Sequence, residues 1–217
     1  MTEVVSSAAL AELDRYAREN QKAILLLNSS ASDYADARCL LINGMLGGLP
    51  LGAQAVEKVL KAYLLFYDPQ RNVRKLSHKL PDLLTQTSAI FPSLNLMRFE
   101  STAIKFAQHY DSRYPDNPNA STSRTTADRF ELDDVMIFLN ENLPCPRHVR
   151  HRAGLNAFIT SSLSQKGTMS QWERWIKIDN RALAPLIEGI NSESIQVLQE
   201  LHPDQDMSLI FANTEAS

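Results

Sequence analysis

The sequence predicts an all-α protein, a helical bundle, from three observations. Apolar residues recur at three- and four-residue spacing along most of the chain, the pattern of a helix with one buried face. Only 7 Gly and 10 Pro occur among 217 residues, too few to punctuate a sandwich or barrel of many short strands. No stretch alternates apolar and polar residues convincingly enough to read as a strand.

Residues 6–28 form the first predicted helix, with Leu10, Leu13, Ala17 and Ile24 near helical spacing and the polar "NSSAS" as its stop. Residues 33–46 repeat the pattern through Tyr34, Ala37, Leu41 and Met45 until "GGLP" ends it. Pro50 suits the first turn of a third helix, "PLGAQAVEKVLKAYLLFY", where a missing N–H is harmless. Asp68-Pro69 closes that helix, because the residue before proline is pushed out of helical conformation. "RNVRKLSH" then leads into a short helix that starts at "HKLP", with Pro81 in its first turn. "SLNLMRFESTAIKFAQHY" predicts a longer helix that exits into "DSRYPDNPNASTSRT", a polar loop. "RFELDDVMIFLNEN" carries Leu132, Val135, Met136 and Leu139 at i, i+3, i+4 and i+7, and "PCP" breaks it. Short helices are expected at 152–164, 171–178, 181–190 and 193–202, with Trp172 and Trp175 anchoring this part to a core. The expected organisation is an N-terminal helix over 1–30, a bundle of about five helices over 31–143, and a helical extension or small subdomain over 144–217.

Composition narrows the function classes. The net charge is −3, but the six acids after Arg181 meet no Lys or Arg, so the first 181 residues hold 22 bases against 19 acids. That tilt permits a polyanionic partner without demanding one. Cys39 and Cys145 are far apart and make no metal or redox motif. No basic leader precedes an apolar run, and no segment is long and apolar enough to span a membrane, so a cytoplasmic location is expected. A glycine-rich phosphate loop, a nucleophile elbow and an HExxH motif are all missing, and neither a metal nor a cofactor is expected.

Four places carry residues able to do chemistry. Glu57 and Lys61 are spaced to pair across one helical turn, either as a surface pair or, with Gln54 and Lys58, as a polar stripe lining a groove beside small alanines. His78 opens the "HKLP" helix among Arg71, Arg74, Lys75 and Lys79, which reads as a solvated basic loop or as an anion site at a helix N-terminus. Arg113 and Tyr114, held by Pro115, either stop a helix or offer a phosphate donor and a stacking surface. "RHVRHR" over 147–152 lacks acid or Cys partners at ligand spacing, so it reads as a phosphate patch or the charged first turn of a helix.

Three of these stretches occur in a familiar order. "AQAVEKVLKAYL", "HKLPDLL" and "YDSRYPDN" resemble the motifs of the HEPN domain family, closest to the branch containing the C-terminal domain of sacsin and many small bacterial proteins. The matching positions are Ala55 to Ala62, His78 to Leu83, and Tyr110 to Asp116, and the likeness covers about residues 33–143. The resemblance implies an up-and-down bundle of about five helices that forms homodimers. It also implies one of two activities. One is a non-catalytic module that binds a nucleotide or nucleic-acid phosphate, here through Glu57, Lys58, Lys61, His78, Arg113 and Tyr114. The other is a metal-independent endoribonuclease, often a toxin paired with a nucleotidyltransferase-like antitoxin, which uses an arginine and a later histidine with four to six residues between them. Arg71 and His78 meet that pattern at its longest spacing, with His78 as acid–base and Arg71 stabilising phosphorane charge. Their place in the chain differs from the family's, whose nuclease motif sits at a later helix. A third reading is an oligomerisation or adaptor protein that docks through its acidic C-terminus.

Overall fold

The computed structural model describes residues 7–111, 116, 124–157 and 171–183, without the side chains of 7–10, 74 and 171–173. All the regular structure among them is helical: α1 (Ser7–Glu19), α2 (Gln21–Ile42), α3 (Gly48–Tyr67), α4 (Leu80–Ile90), α5 (Glu100–Asp111), α6 (Asp128–Glu141), α7 (Arg147–Arg150) and α8 (Gln171–Lys177). Three 3-10 turns, at Val73–Lys75, Pro92–Leu94 and Leu96–Phe99, lead into α4 and α5. The protein is an all-α bundle, and no described helix is long and apolar enough to cross a membrane.

Helix α3 is the centre of the bundle. It packs most extensively on α2 and also meets α4, α5 and α6. Two glycines allow these approaches. A Cβ at Gly48 would lie 2.5 Å from the Ala37 carbonyl oxygen of α2, and one at Gly52 would lie 2.6 Å from Leu132 Cδ2 of α6. Alanines 53, 55 and 62 are fully or almost fully buried and keep the neighbouring helices close. Tyr63 spans the interior, donating its hydroxyl to the Leu139 carbonyl at 2.7 Å. Burial among apolar groups pushes that phenol's pKa up, so it stays a donor at all ordinary pH values.

The first helical boundary differs from the sequence expectation. "NSSAS" does not stop a helix but lies within α2, and the break comes earlier, at Asn20. The buried Asn20 side chain donates to the Tyr16 carbonyl at 3.0 Å, closing α1 from its C-terminal end. The serines stay helical because they have tertiary partners. Ser30 donates to the Ala55 carbonyl at 2.7 Å, and Ser29 accepts from Lys58 Nζ at 2.7 Å. A contact 25 or more residues away thus overrides the serine preference for turns. "SLNLMRFE" is likewise two 3-10 turns, with Asn95 left-handed at φ 48°, before α5 proper.

The segment 171–183 packs back on α2 through a buried polar network. Arg38, completely buried in α2, is ion-paired with Asp133 of α6 and donates to the carbonyls of Trp175 (2.8 Å) and Ile178. Tyr34 donates to the other Asp133 oxygen at 2.7 Å and accepts from Asn180 Nδ2 at 2.8 Å. Burial raises the pKa of the Asp133 carboxyl, and the Arg38 guanidinium opposes that rise. Residues 154–157 are helical too, and the Gly154 N–H, at φ +58°, donates to Asn28 Oδ1 of α2 at 2.8 Å. Of the helices expected at 152–164 and 181–190, the parts 158–164 and 184–190 lie outside the described residues, as do the helix expected at 193–202 and the exit loop 112–123 apart from Asp116.

Candidate functional site

Glu57 and Lys61 sit one turn apart on α3, and both side chains are largely withdrawn from water, 12% and 5% exposed. A buried ammonium needs a close anion, and Lys61 Nζ donates to Glu57 Oε1 at 2.8 Å. His78 reaches the same oxygen from outside, with Nδ1 at 3.0 Å and 68% of its side chain exposed. A carboxylate oxygen accepts, so the contact orients the ring with Nδ1 as the donor toward Glu57. The pair is therefore neither the plain surface ion pair nor a simple basic stripe, but a half-sheltered Lys–Glu–His relay.

The start of α4 holds His78 in place. Ser77 Oγ donates to Asp82 Oδ2 at 3.0 Å and accepts from the Lys79 N–H at 3.0 Å, which fixes the chain on either side of His78. Beside the relay lies a cleft of about 210 Å3. Ala53 and Glu57 of α3, residues 78–82 at the start of α4, and Ala107, Tyr110 and Asp111 at the end of α5 form its walls. The two alanines make the room, since longer side chains there would fill it. The lining is mixed in polarity: Glu57, Asp82 and Asp111 stand with His78 and Lys79, and the positive end of α4 lies beside them.

The other residues expected at a site are distributed differently. Lys58 turns to α2, where it pairs with Asp33 at 2.6 Å as well as with Ser29, and does not join the cleft. Arg71 donates to Gln86 Oε1 at 2.8 Å, six residues into α4, or about 9 Å along the axis from its first residue Leu80. Arg71 and His78 are thus held by different helices. Arg113 and Tyr114 lie outside the described residues, beyond Asp111 at the cleft's edge. The "RHVRHR" cluster forms α7 and its exit, and it turns partly inward: His151 is buried and Arg150 donates to the Glu141 carbonyl at 3.3 Å. No group of three or more metal-ligating side chains gathers among the described residues.

Two polar clusters escaped the sequence reading. One is the Tyr34–Arg38–Asp133–Asn180 network. Its signal was present, because Arg38 falls four residues after Tyr34 on the same apolar face. The other joins α5 to α6. His109, fully buried, is 3.1 Å from Asp128 Oδ2, while Lys105 bridges Asp128 at 3.2 Å and Glu131 at 2.5 Å. Burial lowers the His109 pKa, and the Asp128 carboxylate only partly offsets that. No family model, curated protein or solved structure matches this chain.

Proposed function

We propose that this chain is a HEPN-type helical module that binds a nucleotide, or the phosphate of a nucleic acid, at the α3–α4–α5 cleft, and that it works as a homodimer without catalysing a reaction. The observation that carries this reading is the Glu57 carboxylate, which gathers Lys61 and His78 at the mouth of a cleft beside the α4 N-terminus. At about 210 Å3 the cleft is smaller than a usual ligand pocket, about 300–1,000 Å3, so it takes one part of a nucleotide and leaves the rest outside. His78 Nε2 accepts a hydrogen bond from a base or ribose, while Lys79 and Arg113 meet phosphate. The endoribonuclease reading keeps one support, since an imidazole oriented by a carboxylate is the usual form of a general base. Against it, Arg71 is engaged by Gln86.

Thermal unfolding with AMP, ATP or inorganic phosphate tests both. A nucleotide at a hundred times its Kd adds about 2.7 kcal/mol, which raises Tm by about 5–11 °C for a chain of this size. His78→Ala, at an exposed position, is expected to keep the fold and lose that rise, and Arg113→Ala to weaken it. Absence of a rise with every nucleotide at millimolar concentration refutes the reading. RNA cleavage by the wild type that His78→Ala abolishes replaces it with the nuclease.

A further inference from the structure

A second region of the molecule has the character of a polyanion site and shares no residue with the cleft. Five cationic side chains, Arg98, Arg129, Arg174, Lys177 and Arg181, surround the contact between α6 and the 174–182 segment. Four of them are stacked on aromatic rings. Arg98 lies over Phe138 and Phe99, with Cζ 3.9 and 4.5 Å from the ring centroids. Arg129 and Arg181 share Phe130 at 4.7 and 5.0 Å, and Arg174 lies over Trp175 at 5.8 Å.

The backbone explains why these groups face outward. Ile176, Asn180 and Leu183 are buried against the bundle, and Arg38 holds the carbonyls of Trp175 and Ile178. Arg174 on α8 and Arg181 beyond the turn at Asp179 are exposed, and Lys177 is half-buried. Phe130 and Phe138 are eight residues apart on α6, which sets their arginines about 12 Å apart along the helix. Asp179 is taken by Arg129, and Asp134 and Glu141 line the open groove next to Arg98, which Ala182 also borders. Among the described side chains these five cations outnumber the acids that border them, Asp179, Asp134 and Glu141, with Asp133 paired to Arg38, in a chain whose net charge is −3.

We infer that this arginine ridge is a docking surface for the phosphate backbone of a single-stranded nucleic acid. A guanidinium stacked on a ring has lost much of its rotamer freedom before binding, so little more is lost when it takes a phosphate. The guanidinium groups lie over these rings, which favours phosphate contact over base stacking. Binding is therefore insensitive to base identity and governed by salt. With Arg129 committed to Asp179, four cations remain for phosphates, and the slope of log K against log salt is about −2.8 for a single strand. That slope corresponds to about a 50-fold loss of affinity between about 50 and 200 mM salt.

The test is fluorescence anisotropy of the full chain with labelled oligouridylate, oligoadenylate, oligodeoxythymidylate and a DNA duplex over a salt series. Arg174→Gln with Arg181→Gln is expected to halve the slope and weaken binding about 25-fold at 0.1 M salt, with Tm unchanged. Asp179→Asn frees Arg129 at a backbone position, φ 49°, that asparagine tolerates. It is expected to tighten binding about fivefold. Arg15→Gln with Arg18→Gln on α1 makes the same change in net charge and is expected to do nothing. Equal loss in that control, affinity within twofold of wild type in the ridge variant, or preference for duplex DNA overturns the proposal. So does equally tight binding of polyglutamate, which identifies an acidic protein as the partner instead.

Discussion

Replacing Arg38 with methionine removes the cation that ties three elements together, and its consequence can be worked from the structure. The Arg38 side chain is 0% exposed and Asp133 is 2% exposed, so no water waits to replace the lost guanidinium. Asp133 keeps only the Tyr34 hydroxyl at 2.7 Å as a described partner, and the carbonyls of Trp175 and Ile178 lose a donor. Breaking a buried pair by removing one member costs roughly 3–5 kcal/mol, chiefly because the other charge is left uncompensated. For a chain of this length that lowers Tm by about 6–20 °C. Both tryptophans, Trp172 and Trp175, lie on α8, so their fluorescence follows the α8 segment while circular dichroism follows the whole bundle. In Arg38→Met the fluorescence transition is expected at lower urea than the helical one, and Arg38→Met with Asp133→Asn is expected to recover about half the loss. An Arg38→Met variant within about 1 kcal/mol of wild type, or a double variant no better than the single, would refute this account of the network.

Other expectations follow from packing and from proton linkage. His109 has a lowered pKa in the folded state, so the unfolded chain binds its proton more readily. Its contribution is complete above the ordinary histidine value of about 6.5 and is lost as pH falls from there toward the lowered folded value. Urea unfolding at pH 7.5 and 5.5 is expected to show a larger acid loss in wild type than in His109→Gln; equal losses would contradict it. Gly48→Ala forces a Cβ against the Ala37 carbonyl, which cannot move without α2, and is expected to cost about 1–3 kcal/mol. Gly52→Ala meets only the tip of Leu132, and the helix propensity gain of about 1 kcal/mol offsets the crowding, so its urea midpoint stays near wild type.

Much of the bundle was legible because helical periodicity is a local property. The stripe Leu132, Val135, Met136 and Leu139 named the buried face of α6, and all four are buried. Pro69 and the "PCP" break marked real ends, because proline acts on its immediate neighbours. "NSSAS" misled because serine's turn preference is weak and is reversed by partners on α3, which adjacent residues cannot reveal. At the site, the four-residue spacing of Glu57 and Lys61 announced their pairing. That His78 would close on the same oxygen, and that Lys58 one residue along would turn to Asp33, depended on which helices flank α3.

By itself, then, the sequence determined the helical class, the helix ends marked by proline and the pairing of Glu57 with Lys61. Those follow from backbone propensity and spacing over a few residues. Only the tertiary structure decided that Arg71 bonds Gln86 while His78 bonds Glu57, that Arg38 is buried rather than solvated, and that the 171–183 segment docks on α2 with Arg174 and Arg181 exposed. Each of these outcomes turns on contacts between residues 15 to 146 positions apart. The free energy of burying a charge depends on the partner that meets it, and that partner exists only once the helices have packed.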